Sequence, residues 1–567
     1  MISASKGHRG QNMVLMAGVV LAIIVFSFLP LLRLLKELVM PGGRLSFGVV
    51  AAGLSDPETW TATWHTILIS IGGTIFAVAL GVGVALLVTL TNVRARQAFV
   101  LCYVAPLMIA PQVTALAWLQ VFGPSSPLLA MLGLAPPIGT PNPLYSPQGI
   151  VLLLTIQFSP LVFLIVRAGL RKLPRELIEA AQSGGARRFM VMRTVVLPLM
   201  TPSIVSAAAL TFVSCAGNFG IPAFLGIPAN YLVLTTLIYQ RLAGAGPSVL
   251  SQMAFLSVLI GIIAMIGIFL QDFISSRRDY RITTTSLSAA VYDLGRWRRP
   301  VEIGMWIFIL LVLVLPIIGL LLTSLVRGYG IPVNFHTATL ENYAYVMFHQ
   351  PAAKRAFVNS LCLAAAAAVF AVFVSVPISY VIAWKKSRWI KALNFSVELP
   401  YALPGVVMAI AALLLFLRPI PLLGIQIYNT VWIILYAYLA RFLVLAVRPT
   451  VSGFLQLDRS LEEAAQIAGA GLFTRMRTII FPLVAPAAVA GGLLIFMTAL
   501  CELTVSALLW ASGSETIGVV IFSFEQGGDS KYAAAVSAIM VATTILLMLI
   551  ANLFARRLPS GVLPWRD

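Results

Sequence analysis

The chain has 567 residues, of which 60% are hydrophobic and only 10% charged, with a formal net charge of +19 and a mean hydropathy of +0.97. Soluble domains carry about 25% charged residues, and disordered chains are polar. Both classes are excluded, leaving a polytopic membrane protein read in apolar runs of about 20 residues.

The first element is the uncharged run Met13–Leu32, preceded by Lys6 and Arg9. It is longer than a signal-peptide core and lacks a small-x-small cleavage site after it, so it reads as a retained helix with its N-terminus inside. Ile67–Leu90, Ala98–Phe122, Gly149–Val166, Thr201–Leu225 and Val249–Leu270 complete a first set of six spans. Ile303–Leu325, Ala356–Trp384, Leu393–Leu417, Ile425–Val447, Val484–Leu509 and Tyr532–Phe554 form a second set. Lys and Arg alternate between the loops without interruption, with about three times as many on the inner side. A missed or spurious span would invert that bias in one half. The expected fold is therefore an all-α integral membrane protein, with about 12 transmembrane helices in two homologous six-helix halves. These halves are residues 1–275 and 301–567, joined by a basic cytoplasmic linker, 276–300, with both termini in the cytoplasm.

The basic excess lies in these loops, so topology explains it and no nucleic-acid partner is expected. Cys102, Cys215, Cys362 and Cys501 all fall in apolar segments without CxxC or Cys/His clustering, and read as small membrane hydrophobes. His65, His336 and His349 map to outer loops or span edges without metal-ligand spacing. No metal site is expected, and an intramembrane enzyme lacks its convergent catalytic groups.

The two halves repeat. LPRELIEAAQSGGARRFMVMRTVVLPLMTP, around Glu179, matches LDRSLEEAAQIAGAGLFTRMRTIIFPLVAP, around Glu463, at a constant offset of 284. Both copies lie in loops assigned to the cytoplasm. Pro174 and Asp458 suit a helix start, and Ser460 with Glu463 fits a capping box. Gly185 and Gly469 fit a helix end of positive φ, and Pro198 and Pro482 mark re-entry into the membrane. Each copy is a short helix–turn–helix without a nucleophile–base pair, which makes it a docking element.

The spacing, Glu-Ala-Ala, three residues, Gly, nine residues, Ile or Val, one residue, Leu or Phe, Pro, resembles the signature of bacterial binding-protein-dependent ABC importer permeases. Val195 stands where the pattern has Ile, and Phe481 where it has Leu. The resemblance implies that each copy holds a coupling helix seated on a cytoplasmic ATPase. The ATPase-coupling residues are then Glu179, Ala180, Ala181, Gly185 and Pro198, with Glu463, Ala464, Ala465, Gly469 and Pro482. The implied partners are a homodimer of cytoplasmic ABC ATPase subunits, a periplasmic solute-binding protein and membrane lipid, at the bacterial inner membrane. The chain has no G-x-x-x-x-G-K-[ST] loop. It is expected to be no enzyme and to hold no cofactor, with ATP-Mg on the partner ATPase. FGIPAFLGIPANYLVLTTLIYQRL and ELTVSALLWASGSETIGVVIFSFEQGG resemble the ferric iron branch, as does the fused layout. Thiamine, phosphonate and polyamine importers share that layout and stay open as alternatives.

The same offset sets Asn218 opposite Glu502, both within spans. Buried polar residues in a membrane are by default pathway candidates; the alternative for Glu502 is a structural carboxylate tied to a neighbouring helix. Glu398 and Arg441 sit at equal depth on consecutive antiparallel spans, which predicts a structural ion pair. A two-repeat secondary transporter could use these groups, but it leaves the duplicated cytoplasmic segment unexplained.

Overall fold

The computed structural model describes residues 2–137, 139–244, 248–276, 292–328, 331–385, 388–420 and 424–554. Of the expected linker, residues 277–291 lie outside the described residues. Hydrocarbon offers no partners to backbone N–H and C=O groups, so the chain satisfies them within helices. Among the described residues the sole β pairing is an isolated bridge between Thr91 and Tyr292.

The first half contains α1 (Met13–Val39), α2 (Pro57–Leu90), α3 (Arg96–Met108), α4 (Pro111–Phe122) and α5 (Pro147–Leu170). It continues with α6 (Arg175–Ser183), α7 (Arg188–Ala216), α8 (Gly220–Leu225), α9 (Leu234–Leu242) and α10 (Val249–Ser276). The second half repeats the order with α11 (Gly295–Ser324), α12 (Pro351–Trp384), α13 (Arg388–Ala402), α14 (Gly405–Phe416) and α15 (Val431–Gln456). It ends with α16 (Ser460–Ile467), α17 (Leu472–Leu500), α18 (Ser506–Leu509), α19 (Ile517–Gln526) and α20 (Ser530–Phe554).

Among the described residues, 10 helices are long and apolar enough to cross a membrane, or 12 if two bent pairs each count as one span. The bent pairs are the third and ninth expected spans: α3 meets α4 at 101° and α13 meets α14 at 102°. Proline explains both breaks. Pro106 and Pro400 remove an N–H near the end of the leading helix, and Pro111 and Pro404 stand at the start of the trailing one. The fifth and eleventh spans also differ from expectation. Pro198 and Pro482 lie inside continuous helices, directly after the π-turns Met192–Val196 and Met476–Ile480. The widened turn accommodates the missing N–H, so the helix runs on through these prolines.

The first helix of each half leans on the other half. From α1, Arg33 Nε donates to the Leu414 carbonyl at 3.2 Å, and Phe26 packs on Phe370 and Tyr436 with centroids 5.8 and 5.6 Å away. From α11, Thr323 Oγ1 donates to Gln120 Oε1 at 3.3 Å, and Trp306 sets its edge to Phe99 at 6.1 Å. Within each half, glycine brings helices together, as is usual where lipid supplies no hydrophobic drive. A Cβ on Gly81 would lie 2.6 Å from the Ser159 carbonyl, and one on Gly491 would lie 2.5 Å from Ala446 Cα. Gly81→Val and Gly491→Val are each expected to cost about 1–3 kcal/mol by overpacking, read as a lowered melting temperature of the detergent-purified chain; unchanged melting would contradict the close approach.

Candidate functional site

Two regions stand out, a pair of loops on one face and a cluster of helix breaks where the halves meet. In the second loop, Asp458 Oδ1 accepts the Ser460 amide at 2.9 Å. Asp458 therefore supplies the cap, while Ser460 already lies in α16 and does not form the expected capping box with Glu463. Both loop helices close with the same pair of turns. The Gly185 amide donates to the Gln182 carbonyl at 2.9 Å and the Ala186 amide to the Ala181 carbonyl at 3.1 Å. In α16 the Gly469 amide reaches the Gln466 carbonyl, and the Ala470 amide the Ala465 carbonyl, both at 3.0 Å. Such a helix end needs a left-handed residue after the cap, and Gly185 and Gly469 hold φ of +86° and +84°.

Glu179, Ala180, Glu463 and Ala464 are exposed, and Ala181 and Ala465 half-buried. Glu463 stands 3.6 Å from Arg459 one turn earlier. Sequence reasoning missed the apolar residues beside them. Leu177 and Leu461 occupy equivalent places and are 44% and 48% exposed, as are Phe189 and Phe473 at 78% and 76%. Both loops thus present large apolar side chains at the same repeat positions among polar neighbours. Their recurrence at the offset of 284 was the available signal.

The second region forms where long helices stop inside the protein. After α7, the Asn218 side-chain oxygen accepts the Ile221 amide at 3.0 Å and so caps α8. After α17, the Glu502 carboxyl oxygens accept the Val505 amide at 2.7 Å and the Ser506 amide at 3.1 Å, capping α18. Asn218 and Glu502 are both buried, and they perform the same task in the two halves. Glu502 also takes Arg441 Nη1 at 3.3 Å. Glu398 instead meets Arg448 Nη2 at 3.4 Å in a more exposed position. The expected Glu398–Arg441 pair is thus not formed. Equal depth fixes a height along the membrane but not a direction around the helix, and Arg441 points to the break at Gly405, close to Thr504 and Glu502.

Gln157, at the repeat position of Arg441, was not singled out from sequence. Its Nε2 donates to the Pro106 and Ile109 carbonyls at 2.9 and 3.1 Å, groups released by the α3–α4 break. Thr114 Oγ1 donates to its Oε1 at 3.0 Å. The halves are tied directly by Gln112, whose Nε2 donates to the Cys501 carbonyl at 3.0 Å. Beside this tie, Phe522 of α19 packs between Phe219, Phe224 and Tyr239, with centroids 5.9, 5.6 and 5.5 Å away. Among the described residues, no three His, Cys, Asp or Glu side chains converge as metal ligands.

The Arg441–Glu502 pair can be tested against the neutral half. Glu502→Gln leaves the half-buried Arg441 without its counter-charge and should destabilise the chain by about 1–3 kcal/mol. Arg441→Gln combined with Glu502→Asn, which installs the first half's residues, should lose clearly less. Thermal unfolding of the purified chain measures both; a double variant as unstable as the sum of the singles would exclude the pairing.

The family profile described as "Binding-protein-dependent transport system inner membrane component" matches residues 47–280 and 375–563. The chain is 26% identical, over 96% of its own length and 95% of the relative's, to "Probable ABC transporter permease protein y4fN" of Sinorhizobium fredii. It is 25% identical to "Ferric transport system permease protein FbpB" of Actinobacillus pleuropneumoniae, over 82% of this chain and 67% of that one. "Spermidine/putrescine transport system permease protein PotC" of Escherichia coli is 28% identical over 44% of this chain and 91% of its own. The family profile covers more than half of the chain in two segments, and each segment contains one copy of the duplicated Glu-Ala-Ala loop. The chain therefore belongs to the inner-membrane components of binding-protein-dependent transport systems, as an ABC importer permease with both halves fused in one polypeptide.

Proposed function

We propose that this permease carries ferric iron, released to it by a periplasmic solute-binding protein, and that a homodimer of cytoplasmic ATPase subunits, holding ATP-Mg, drives it through α6 and α16. The observation that carries the iron reading is likeness along most of the chain to a permease named for ferric transport. The polyamine alternative is supported over less than half of the chain. On the proposed reading the permease halves are 1–275 and 301–567, the N-terminus is cytoplasmic, and hydrolysis takes place in the partner.

The exposed Leu177 and Leu461 would enter the ATPase surface, with Glu179 and Glu463 at its polar edge. A push on either loop passes into α7 or α17, each continuous up to the break at Asn218 or Glu502. A straight helix transmits displacement along its axis, so the stroke arrives where Gln112 and the Phe522 cluster join the halves. Asn218 and Glu502 serve the pathway as the caps that hold these breaks in shape. ATP-driven approach of the two loops would part the cluster and hydrolysis would restore it, the alternation of access that unidirectional import requires.

Two measurements test this. Deleting the gene should abolish uptake of radiolabelled ferric citrate by whole cells, with excess putrescine having no effect on the wild type; competition by putrescine together with undiminished iron uptake would favour the polyamine reading. Gly185→Val and Gly469→Val force a β-branched residue into left-handed backbone at a cost of about 1–2 kcal/mol. They should leave the permease inserted while uptake falls and ATP hydrolysis no longer tracks it. Normal coupling in both would remove α6 and α16 from the mechanism.

A further inference from the structure

The two coupling helices are seated on different chemistry. In the second half, Tyr380 Oη donates to Glu462 Oε1 at 2.7 Å, and Arg475 Nη1 stands 3.2 Å from the same oxygen. Arg475 Nη1 also donates to Gln466 Oε1 at 3.1 Å. Glu462, Arg475 and Tyr380 are 6%, 3% and 6% exposed, so this is an interior network and not a surface pair. The rings of Trp384 and Phe454 close over it, with centroids 5.6 and 6.2 Å from Tyr380 and 5.1 Å from each other. Four helices meet here: Tyr380 and Trp384 lie on α12, Phe454 on α15, Glu462 and Gln466 on α16, and Arg475 on α17.

The first half fills the same places with aliphatic residues. The repeat offset puts Ile178, Val191 and Leu170 opposite Glu462, Arg475 and Phe454. Aligning α2 with α12 from their first prolines puts Leu86 and Leu90 opposite Tyr380 and Trp384. Ile178, Val191, Leu170 and Leu90 are fully or almost fully buried in one apolar cluster, with Leu86 packed against it.

We infer that Glu462, Arg475 and Tyr380 are positioning residues that fix the second coupling helix rigidly to α12 and α17, at places that the first half fills with aliphatic side chains. The inference rests on α6 and α16 being the coupling elements. Its physical basis is that hydrogen bonds and ion pairs are directional and weaken steeply as the angle opens. Contact between aliphatic surfaces is non-directional and tolerates sliding. Arg475 enters this network through Nη1 while its Nε has no partner among the described residues; the paired groups of a buried polar network resist displacement, and parting a buried ion pair would leave an uncompensated charge. The second loop therefore moves as one body with two membrane helices, one of which ends at Glu502.

Spin labels at Lys385, at the end of α12, and Leu461, on the exposed side of α16, read this joint directly in the full chain in nanodiscs, in a cysteine-free background. A narrow distance distribution is expected for the wild-type joint. Glu462→Ile with Arg475→Val and Tyr380→Leu installs the first half's residues and should broaden it about twofold, as loss of a rigidifying network implies. Tyr380→Phe alone, which removes one hydroxyl and keeps the ring, should broaden it less and serves if the triple variant does not fold. Distributions as narrow in the variants as in the wild type would overturn the inference. A second label pair, Leu177 and Leu461, in the complex co-purified with its ATPase, should shorten on vanadate trapping of ATP. A failure of that response alone would refute the coupling reading, and the width comparison would still decide the joint.

Discussion

Hydrocarbon supplies no hydrogen-bond partners, so every backbone group freed by a helix break must be satisfied from within the protein. This chain breaks its helices repeatedly where its halves meet, and three of the breaks carry their own polar residue. Gln157 takes the carbonyls released between α3 and α4, while Asn218 and Glu502 take the amides at the starts of α8 and α18. These buried polar groups hold the non-helical backbone in the membrane, and that backbone lets the helices change direction where a pathway has to pass. Polar residues in a membrane are commonly read as contacts for a solute. Here their first measurable task is capping.

The halves share a fold without sharing their chemistry. Where the first half has Gln157 and Asn218, the second has Arg441 and Glu502, joined as an ion pair. Where the first seats its loop helix on Ile178 and Val191, the second uses Glu462 and Arg475. An internal duplication constrains backbone geometry, because the breaks and turns must superpose. It leaves side chains free wherever another set satisfies the same backbone. At two separate places the second half is charged where the first is neutral. The fused permease is therefore a pseudo-symmetric machine whose two arms differ in electrostatics.

The exchange of α1 and α11 between halves adds a further constraint. Arg33 and Phe26 bind the first helix to the second half, and Thr323 and Trp306 bind the seventh span to the first. Neither half completes its packing alone, so relative motion of the two is confined to modes that keep both contacts. Rocking about the central breaks satisfies that condition better than separation of the halves.

Much of this was legible in the one-dimensional text. Apolar runs of membrane length, alternating Lys and Arg, and a duplicated Glu-Ala-Ala loop are local or periodic signals, and they determined the helical class, the approximate spans and the family resemblance. Gly185 and Gly469 were legible too, because a left-handed turn leaves few other choices. Tertiary structure alone decided which buried charges meet. Position along a span gives depth but not azimuth, so Arg441 was matched with Glu398 when it faces Glu502. It also decided that the third and ninth spans bend through about a right angle, since a proline near a helix end is compatible with a kink, a cap or a full break. The polar seat of α16 depends on residues from α12, α15 and α17 converging over 95 positions of sequence, from Tyr380 to Arg475. No local pattern encodes such a meeting, because it exists only once the helices have packed.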